Sequence, residues 1–163
     1  MPNYCNNELT LAHANPAMIA RAKLAFDQMR FLQEFVPMPA ELKGTKAPSD
    51  NPNWYDWRVA NWGTKWDVGG DAGDHITDTE NGSVTFSFES AWAPPAAVYP
   101  VLEGFGFFVR AYWFEPGMGF AGKYCAKQLE EFNLEDPKDV AAIPKDLDEA
   151  MGISESLMNE GDE

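Results

Sequence analysis

Four of the chain's six tryptophans lie within residues 53–67, between a proline-containing loop and a loop rich in glycine and aspartate. Each indole is a large apolar surface that must be covered by the rest of the chain or by a bound molecule. The block therefore forms either a local core or a surface that holds a base, a methylated cation or a partner's side chain. Its candidate binding residues are Trp54, Trp57, Arg58, Trp62 and Trp66.

Helix signals at both ends of this block favour a local core. Asn51-Pro52 is a typical helix start and Gly63 a typical residue just beyond a helix end, so the sequence predicts an inserted helix at about 52–63. Aromatic side chains fall on two sides of this helix, which is typical of a helix packed between other elements. We interpret the block as a buried mini-core against a sheet, with exposed indoles as the alternative.

Hydrophobic periodicity predicts an α+β chain. With 163 residues, 45% of them hydrophobic, the chain suits one domain with a short appendage. The predicted strands lie at 3–13, 65–68, 83–90, 107–114 and 119–127, and the predicted helices at 17–36, 52–62 and 96–103. Without the inserted helix this order is βαββαβ plus one hairpin strand. It predicts a ferredoxin-like sandwich over residues 1–127, with helices on one side of an antiparallel sheet.

The negative charge is concentrated at the C-terminal end. Residues 128–163 carry twelve acids and two bases, a net charge of −10, whereas residues 1–127 carry fourteen acids and ten bases, a net charge of −4. We predict an acidic tail with one or two short helices and a disordered end from about Asn159. Its candidate binding residues are Glu130, Glu131, Glu135, Asp136, Asp139, Asp146, Asp148 and Glu149.

Three functions are open for this tail. It is a solubilising end, a docking strip for a basic partner, or a mimic of nucleic-acid phosphates. Mimicry requires carboxylates held on an ordered surface, and Pro137, Pro144 and Gly152 interrupt this segment. Neither half of the chain has the basic footprint that binding a phosphate backbone requires, so nucleic acid is not the expected partner.

Four segments together resemble the YubB-like family of proteins carried by phages and conjugative plasmids, whose C-terminal part is called a ferredoxin-like domain. They are PNYCNN at 2–7, WYDWRVANWGTKWD at 54–67, AWAPP at 91–95 and YWFEPGMGFAG at 112–122. The opening segment has Tyr4 where the family usually has Trp. The resemblance covers about residues 1–127 and implies a phage or plasmid accessory protein without an established biochemical role. It brings no catalytic residues.

The segment from Gly104 to Tyr112 is similar to the sheet motif of RNA-recognition domains. It differs in having Glu103 at the basic position and one extra aromatic residue. Phe108, Arg110 and Tyr112 share one strand face, which makes them candidate residues for stacking on single-stranded nucleic acid. A helix end followed by an aromatic core strand explains the same residues.

The sequence contains no catalytic or metal-binding pattern. Two cysteines exclude a four-cysteine metal site built from this chain alone, and the acidic loop holding Asp71, Asp74 and His75 has no calcium-loop spacing. No nucleophile motif or phosphate-binding glycine loop is present, so we expect no catalytic residues and no cofactor. The absence of a signal sequence and of a long apolar run predicts a soluble, cytoplasmic protein without membrane contact. The resemblance to phage and plasmid proteins implies that this cytoplasm is that of a bacterial host.

We therefore predict a non-enzymatic accessory protein that binds a host protein, with inhibition of a defence or DNA-processing protein as the expected effect. One alternative is a single-stranded nucleic-acid binder that uses the aromatic strand face. Another is a small-ligand binder or enzyme that uses the tryptophan block. The sequence leaves the oligomeric state open.

Overall fold

A computed structural model describes residues 3–161, which form an α+β fold around one six-stranded sheet. The strands are β1 (Tyr4–Ala12), β2 (His75–Asp78), β3 (Val84–Ala91), β4 (Phe108–Glu115), β5 (Phe120–Cys125) and β6 (Gln128–Asn133). They lie in the order β2-β3-β1-β4-β5-β6, and every neighbouring pair is antiparallel.

Residues 3–161 also form seven α-helices and two short 3-10 helices. The α-helices are α1 (Pro16–Asp27), α2 (Phe31–Phe35), α3 (Trp54–Asn61), α4 (Tyr99–Gly104), α5 (Pro137–Ala142), α6 (Lys145–Met151) and α7 (Ile153–Gly161). The 3-10 helices lie at Ala40–Leu42 and Ala96–Val98.

The main core lies between one face of the sheet and helices α1, α2 and α4. The strand predicted at 3–13 is present as β1, and its side chains Cys5, Leu9 and Leu11 are fully buried in this core. Aromatic rings from β3 and from α1 and α2 fill the space beside them, including Phe86, which lies 4.8 Å from the ring of Phe26. Burial of these large apolar side chains is the main stabilising contribution in this half of the molecule.

The prediction of one helix over residues 17–36 is wrong. The chain breaks at Met29, which has a left-handed φ of 55°, and starts again as α2. The loop after the tryptophan block presses against the end of α1, where a side chain on Gly69 would place its Cβ 2.2 Å from the carbonyl oxygen of Phe26. The break turns Phe31 and Phe35 into the core, where both are buried.

The strand predicted at 65–68 is also absent, and β2 lies at His75–Asp78 instead. Asp67 explains part of this difference, since its carboxylate binds the start of α2 and holds residues 65–68 away from the sheet. The segment that forms β2 was expected to be loop because glycine and aspartate surround it. Ile76 of β2 pairs with Phe86 of β3 and packs against the main core.

The C-terminal segment is an ordered layer, contrary to the expectation of weakly docked helices. Residues 128–133 pair with β5 as the sixth strand, so the sheet continues across the division predicted at residue 127. Helices α6 and α7 cover the sheet face opposite the main core, where Leu147 and Ile153 pack with Tyr112 and Phe114 in a second core. Helices therefore lie on both faces of the sheet, not on one as predicted.

The disorder expected from about Asn159 is wrong for residues 159–161, which are the end of α7. Residues 162–163 lie outside the described part of the chain. None of the helices in the described residues has the length and apolar character needed to cross a membrane.

Candidate binding surfaces

Of the four indoles in the tryptophan block, one is buried, two are half-buried and one is exposed. The expectation of a helix packed between other elements is wrong, because α3 itself has no buried residue. Trp62 at the end of α3 is 1% exposed, and its Nε1 donates a hydrogen bond of 2.8 Å to the carbonyl oxygen of Val36. Trp57 packs edge-on against Trp62 with ring centroids 5.9 Å apart, and Trp54 and Trp57 are half-buried. The side chain of Asn53 caps α3 by accepting a hydrogen bond from the backbone N–H of Asp56.

Arg58 stabilises this cluster from within. Its guanidinium carbon lies 5.2 Å from the ring centroid of Trp54 and 4.8 Å from that of Trp62, a geometry that gives cation–π attraction to both rings. Its Nη1 donates to the carbonyl oxygen of Lys65 at 3.1 Å. Burial lowers the pKa of Arg58, and the nearby charge of Asp67 opposes that shift. Arg58 therefore has partners inside the block.

Asp67 joins the block to α2. Its carboxylate accepts backbone hydrogen bonds from Leu32 at 2.6 Å, Gln33 at 2.9 Å and Val68 at 2.8 Å. Burial raises the pKa of Asp67, while the three N–H donors and Arg58 act in the opposite direction. This role was not predicted, since Leu32 and Asp67 lie far apart in the sequence.

Two indoles are exposed to solvent, Trp66 at 41% and Trp92 at 43%. The Lys65 ammonium lies 4.3 Å from the ring centroid of Trp66. Trp92 has a left-handed φ of 69°, and its backbone N–H donates to the carbonyl oxygen of Asn3 at 2.8 Å. Trp66 was among the candidate residues, whereas Trp92 was not.

The aromatic strand face of β4 is divided by the C-terminal layer. Phe108 is 49% exposed and Arg110 is exposed, with its guanidinium carbon 5.7 Å from the ring centroid of Tyr112. Tyr112 is only 7% exposed and Phe114 only 5%, because the C-terminal helices cover them. The three candidate residues share a face, as predicted, but one of them is inaccessible.

Asp146 of α6 holds the layer to the covered part of this face. Its carboxylate accepts a hydrogen bond from the Tyr112 hydroxyl at 2.8 Å and forms an ion pair with the Lys123 ammonium at 3.0 Å. Burial acts to raise the pKa of Asp146, but the hydrogen bonds from Lys123 and Tyr112 outweigh it and the pKa is lowered. Burial, with the carboxylate of Asp146 beside it, raises the pKa of Tyr112 to about 12.

The other aspartates of the acidic layer also hold local structure. Asp136 accepts from the backbone N–H of Lys138 at 2.9 Å and caps α5. Asp139 accepts from the N–H of Asn133 at 2.8 Å, at the outer edge of β6. Asp148 accepts from both the N–H and the hydroxyl of Ser154, at 2.7 and 2.6 Å.

The candidate glutamates of the layer have exposed side chains. Glu130, Glu131 and Glu135 form no ion pair within residues 3–161. Glu149 forms one with the exposed Lys145, at 3.7 Å. Their backbone positions are nevertheless fixed by β6 and by the helices. The candidate acids thus divide into aspartates that stabilise the layer and glutamates that it presents to solvent, which are Glu130, Glu131, Glu135 and Glu149.

The acidic loop before β2 does not assemble a metal site. No group of three or more His, Cys, Asp or Glu side chains within residues 3–161 has metal-binding geometry. The Asp74 carboxylate accepts from the N–H of Asp71 at 3.1 Å, and Asp78 forms an ion pair with Lys23 at 3.0 Å. Cys5 is buried, and burial raises the pKa of its thiol, which does not favour a reactive thiolate.

No family model matches this chain, and no curated protein matches it. A solved structure that matches is the crystal structure of the protein api92 from Yersinia pseudotuberculosis, described with the family model DUF1281. It is 16% identical in sequence, with a TM-score of 0.48 over 64% of this chain. The match spans 39% of the length of that solved chain.

Proposed function

We propose that this chain is a non-enzymatic accessory protein that binds a protein partner through its acidic C-terminal layer. The observation that carries the proposal is the division of the layer's acids. Aspartates and the second core fix the layer, and the glutamates Glu130, Glu131, Glu135 and Glu149 remain exposed and available. The partner that this surface fits is a protein with a basic surface, of the kind that binds nucleic acid.

The folded structure of the acidic layer favours binding. Carboxylates held on a folded layer require little further ordering on association, which lowers the entropic cost of binding. The net charge of −14 attracts a basic partner over a distance and raises the rate of encounter. The effect expected from such binding is occlusion of the partner's nucleic-acid site, as in inhibition of a host defence or DNA-processing protein.

The proposal includes a fold and a family. The order β2-β3-β1-β4, with α1–α3 before β2 and α4 before β4, supports a ferredoxin-like βαββαβ arrangement to which β5 and β6 are added. The four sequence segments described above support membership of the YubB-like family of phages and plasmids. This origin would place the protein in the cytoplasm of a bacterial host.

Capture from a bacterial lysate tests the proposal, provided that charge is changed on the layer and elsewhere in matched variants. The first variant replaces the four exposed glutamates, E130Q/E131Q/E135Q/E149Q. The control removes the same charge from four exposed acids outside the layer, D27N/E41Q/D71N/E89Q.

We expect the wild-type chain and the control to retain a protein that duplex DNA releases, and the first variant to lose it. Retention by all three proteins, or failure of DNA to release the captured protein, would contradict binding through the acidic layer.

A further inference from the structure

One end of the sheet face is left open by the C-terminal layer. Two adjoining clefts of about 460 and 530 Å³ lie there, and both are lined by Ala12 of β1, Phe108 of β4 and Asn81 of the β2–β3 turn. These volumes are within the range of small-molecule sites, about 300–1,000 Å³. The half-exposed ring of Phe108 is common to both clefts.

The larger cleft combines an aromatic ring, a cation and hydroxyl groups. Arg110 lines it beside Phe108, and within residues 3–161 its guanidinium forms no ion pair. The hydroxyls of Thr10 and Thr85 lie 2.8 Å apart on the neighbouring strands β1 and β3. Glu80 in the turn supplies an acceptor at the rim.

This combination suits a nucleotide. A base has an aromatic face that stacks on a ring such as Phe108, and its phosphate is an anion that pairs with a free guanidinium such as Arg110. Hydroxyl and carboxylate groups are the hydrogen-bonding partners that a sugar or a base edge requires.

Helix α6 limits how far a ligand extends along the face. Beyond Arg110 the next aromatic ring is Tyr112, which α6 covers, and the next cation is Lys123, which is paired with Asp146. A long single strand would have to displace the layer. The open end therefore has room for one or two nucleotides, which agrees with the lack of a basic footprint elsewhere on this acidic chain.

We propose that the clefts around Phe108 and Arg110 form a nucleotide-binding site, independent of the partner surface proposed above. The shared chemistry is a base carrying a phosphate, either as a free nucleotide or as part of a short single strand.

Calorimetric titration of the full chain at low salt tests this site, with AMP, UMP, adenosine and the tetranucleotides of uridine and thymidine as probes. Phe108→Ala removes the stacking ring and Arg110→Gln the cation. The matched controls are Tyr4→Ala, an aromatic side chain 44% exposed at the far end of β1, and Lys43→Gln, an exposed cation. Both targets are exposed, and thermal unfolding verifies that each variant is folded.

We expect saturable binding of at least one mononucleotide or tetranucleotide, weakened about ten-fold or more by Phe108→Ala, in the range for loss of one stacking contact. Arg110→Gln weakens binding of AMP more than binding of adenosine, and both controls bind as the wild type. Tighter binding of a tetranucleotide than of any mononucleotide assigns the site to a strand, and equal binding assigns it to a free nucleotide. Absence of saturable binding up to millimolar probe, or binding that Phe108→Ala leaves unchanged, overturns the proposal.

Discussion

Single charged side chains organise the most aromatic part of this chain. Arg58 fills the space between two indoles, and Asp67 ties the end of the block to α2. Burial of indoles in the block was predicted from its helix signals, but periodicity did not single out Trp62, which lies just after α3, a helix with no buried residue. The partners of Asp67 could not be predicted, because a carboxylate in a glycine-rich neighbourhood is equally typical of a solvated loop. Its three backbone donors come together only in the folded chain.

Replacement of Asp67 tests this contact. We expect Asp67→Ala to lower the free energy of unfolding by about 1–3 kcal/mol, because it leaves buried backbone N–H groups of Leu32 and Gln33 without an acceptor. Urea unfolding followed by tryptophan fluorescence measures the change. Asp71→Ala, which removes an exposed acid from the following loop, is the control and should change stability by less than about 0.5 kcal/mol. Equal effects of the two substitutions would show that Asp67 has no special role.

Tyr112 predicts a specific response to alkaline pH. Its pKa is raised from 10.0 to about 12 in the folded protein. A raised pKa means that the folded state favours the neutral phenol, so this contribution to stability is complete below pH 10 and is lost as pH rises to about 12. We expect α6 and α7 to lose protection from proteolysis across this window. Tyr112→Phe has no proton to lose, and the transition in this variant should be weaker or absent. An unchanged transition would exclude Tyr112 as its cause.

The helices and strands differ in how well their sequences specify them. Hydrophobic pattern identified the strands β1, β3 and β4, and the hairpin strand predicted after β4 is present as β5. The break after α1 and the position of β2 escaped prediction because both depend on contacts with distant residues. The acidic composition of residues 128–163 concealed β6, in which five of six residues are exposed and carry little hydrophobic pattern.

The C-terminal helices form a unit with its own small core, and we expect them to undock separately. Leu147→Asn with Ile153→Asn places polar groups in that core without changing the net charge. Hydrogen exchange should then show loss of protection in α6 and α7 but not in β1 or β3, whose residues belong to the main core. Loss of protection throughout the chain would mean instead that the two cores unfold together. Glu155→Gln, at an exposed position of α7, is the control.

The negatively charged C-terminal segment is folded against the sheet despite its charge. The sheet separates a main core beneath α1, α2 and α4 from a second core formed with residues 128–163, which carry most of the net negative charge. A net charge of −10 over residues 128–163 would extend a disordered tail through self-repulsion, yet Leu147 and Ile153 are fully buried. Apolar anchors, backbone pairing by β6 and the aspartate hydrogen bonds offset that repulsion. The side chains of the four exposed glutamates take no part in these contacts, which is why we assign them to a partner.

The association rate with the captured partner tests the acidic layer most directly, when measured at several salt concentrations. We predict that the wild-type rate constant falls steeply as salt rises, because long-range attraction is screened. The four-glutamine variant of the layer should associate more slowly at low salt and show a shallower salt dependence. The control lacking four acids elsewhere should behave like the wild type. Identical salt dependence in the two variants would contradict the central claim that the ordered acidic layer is the binding surface.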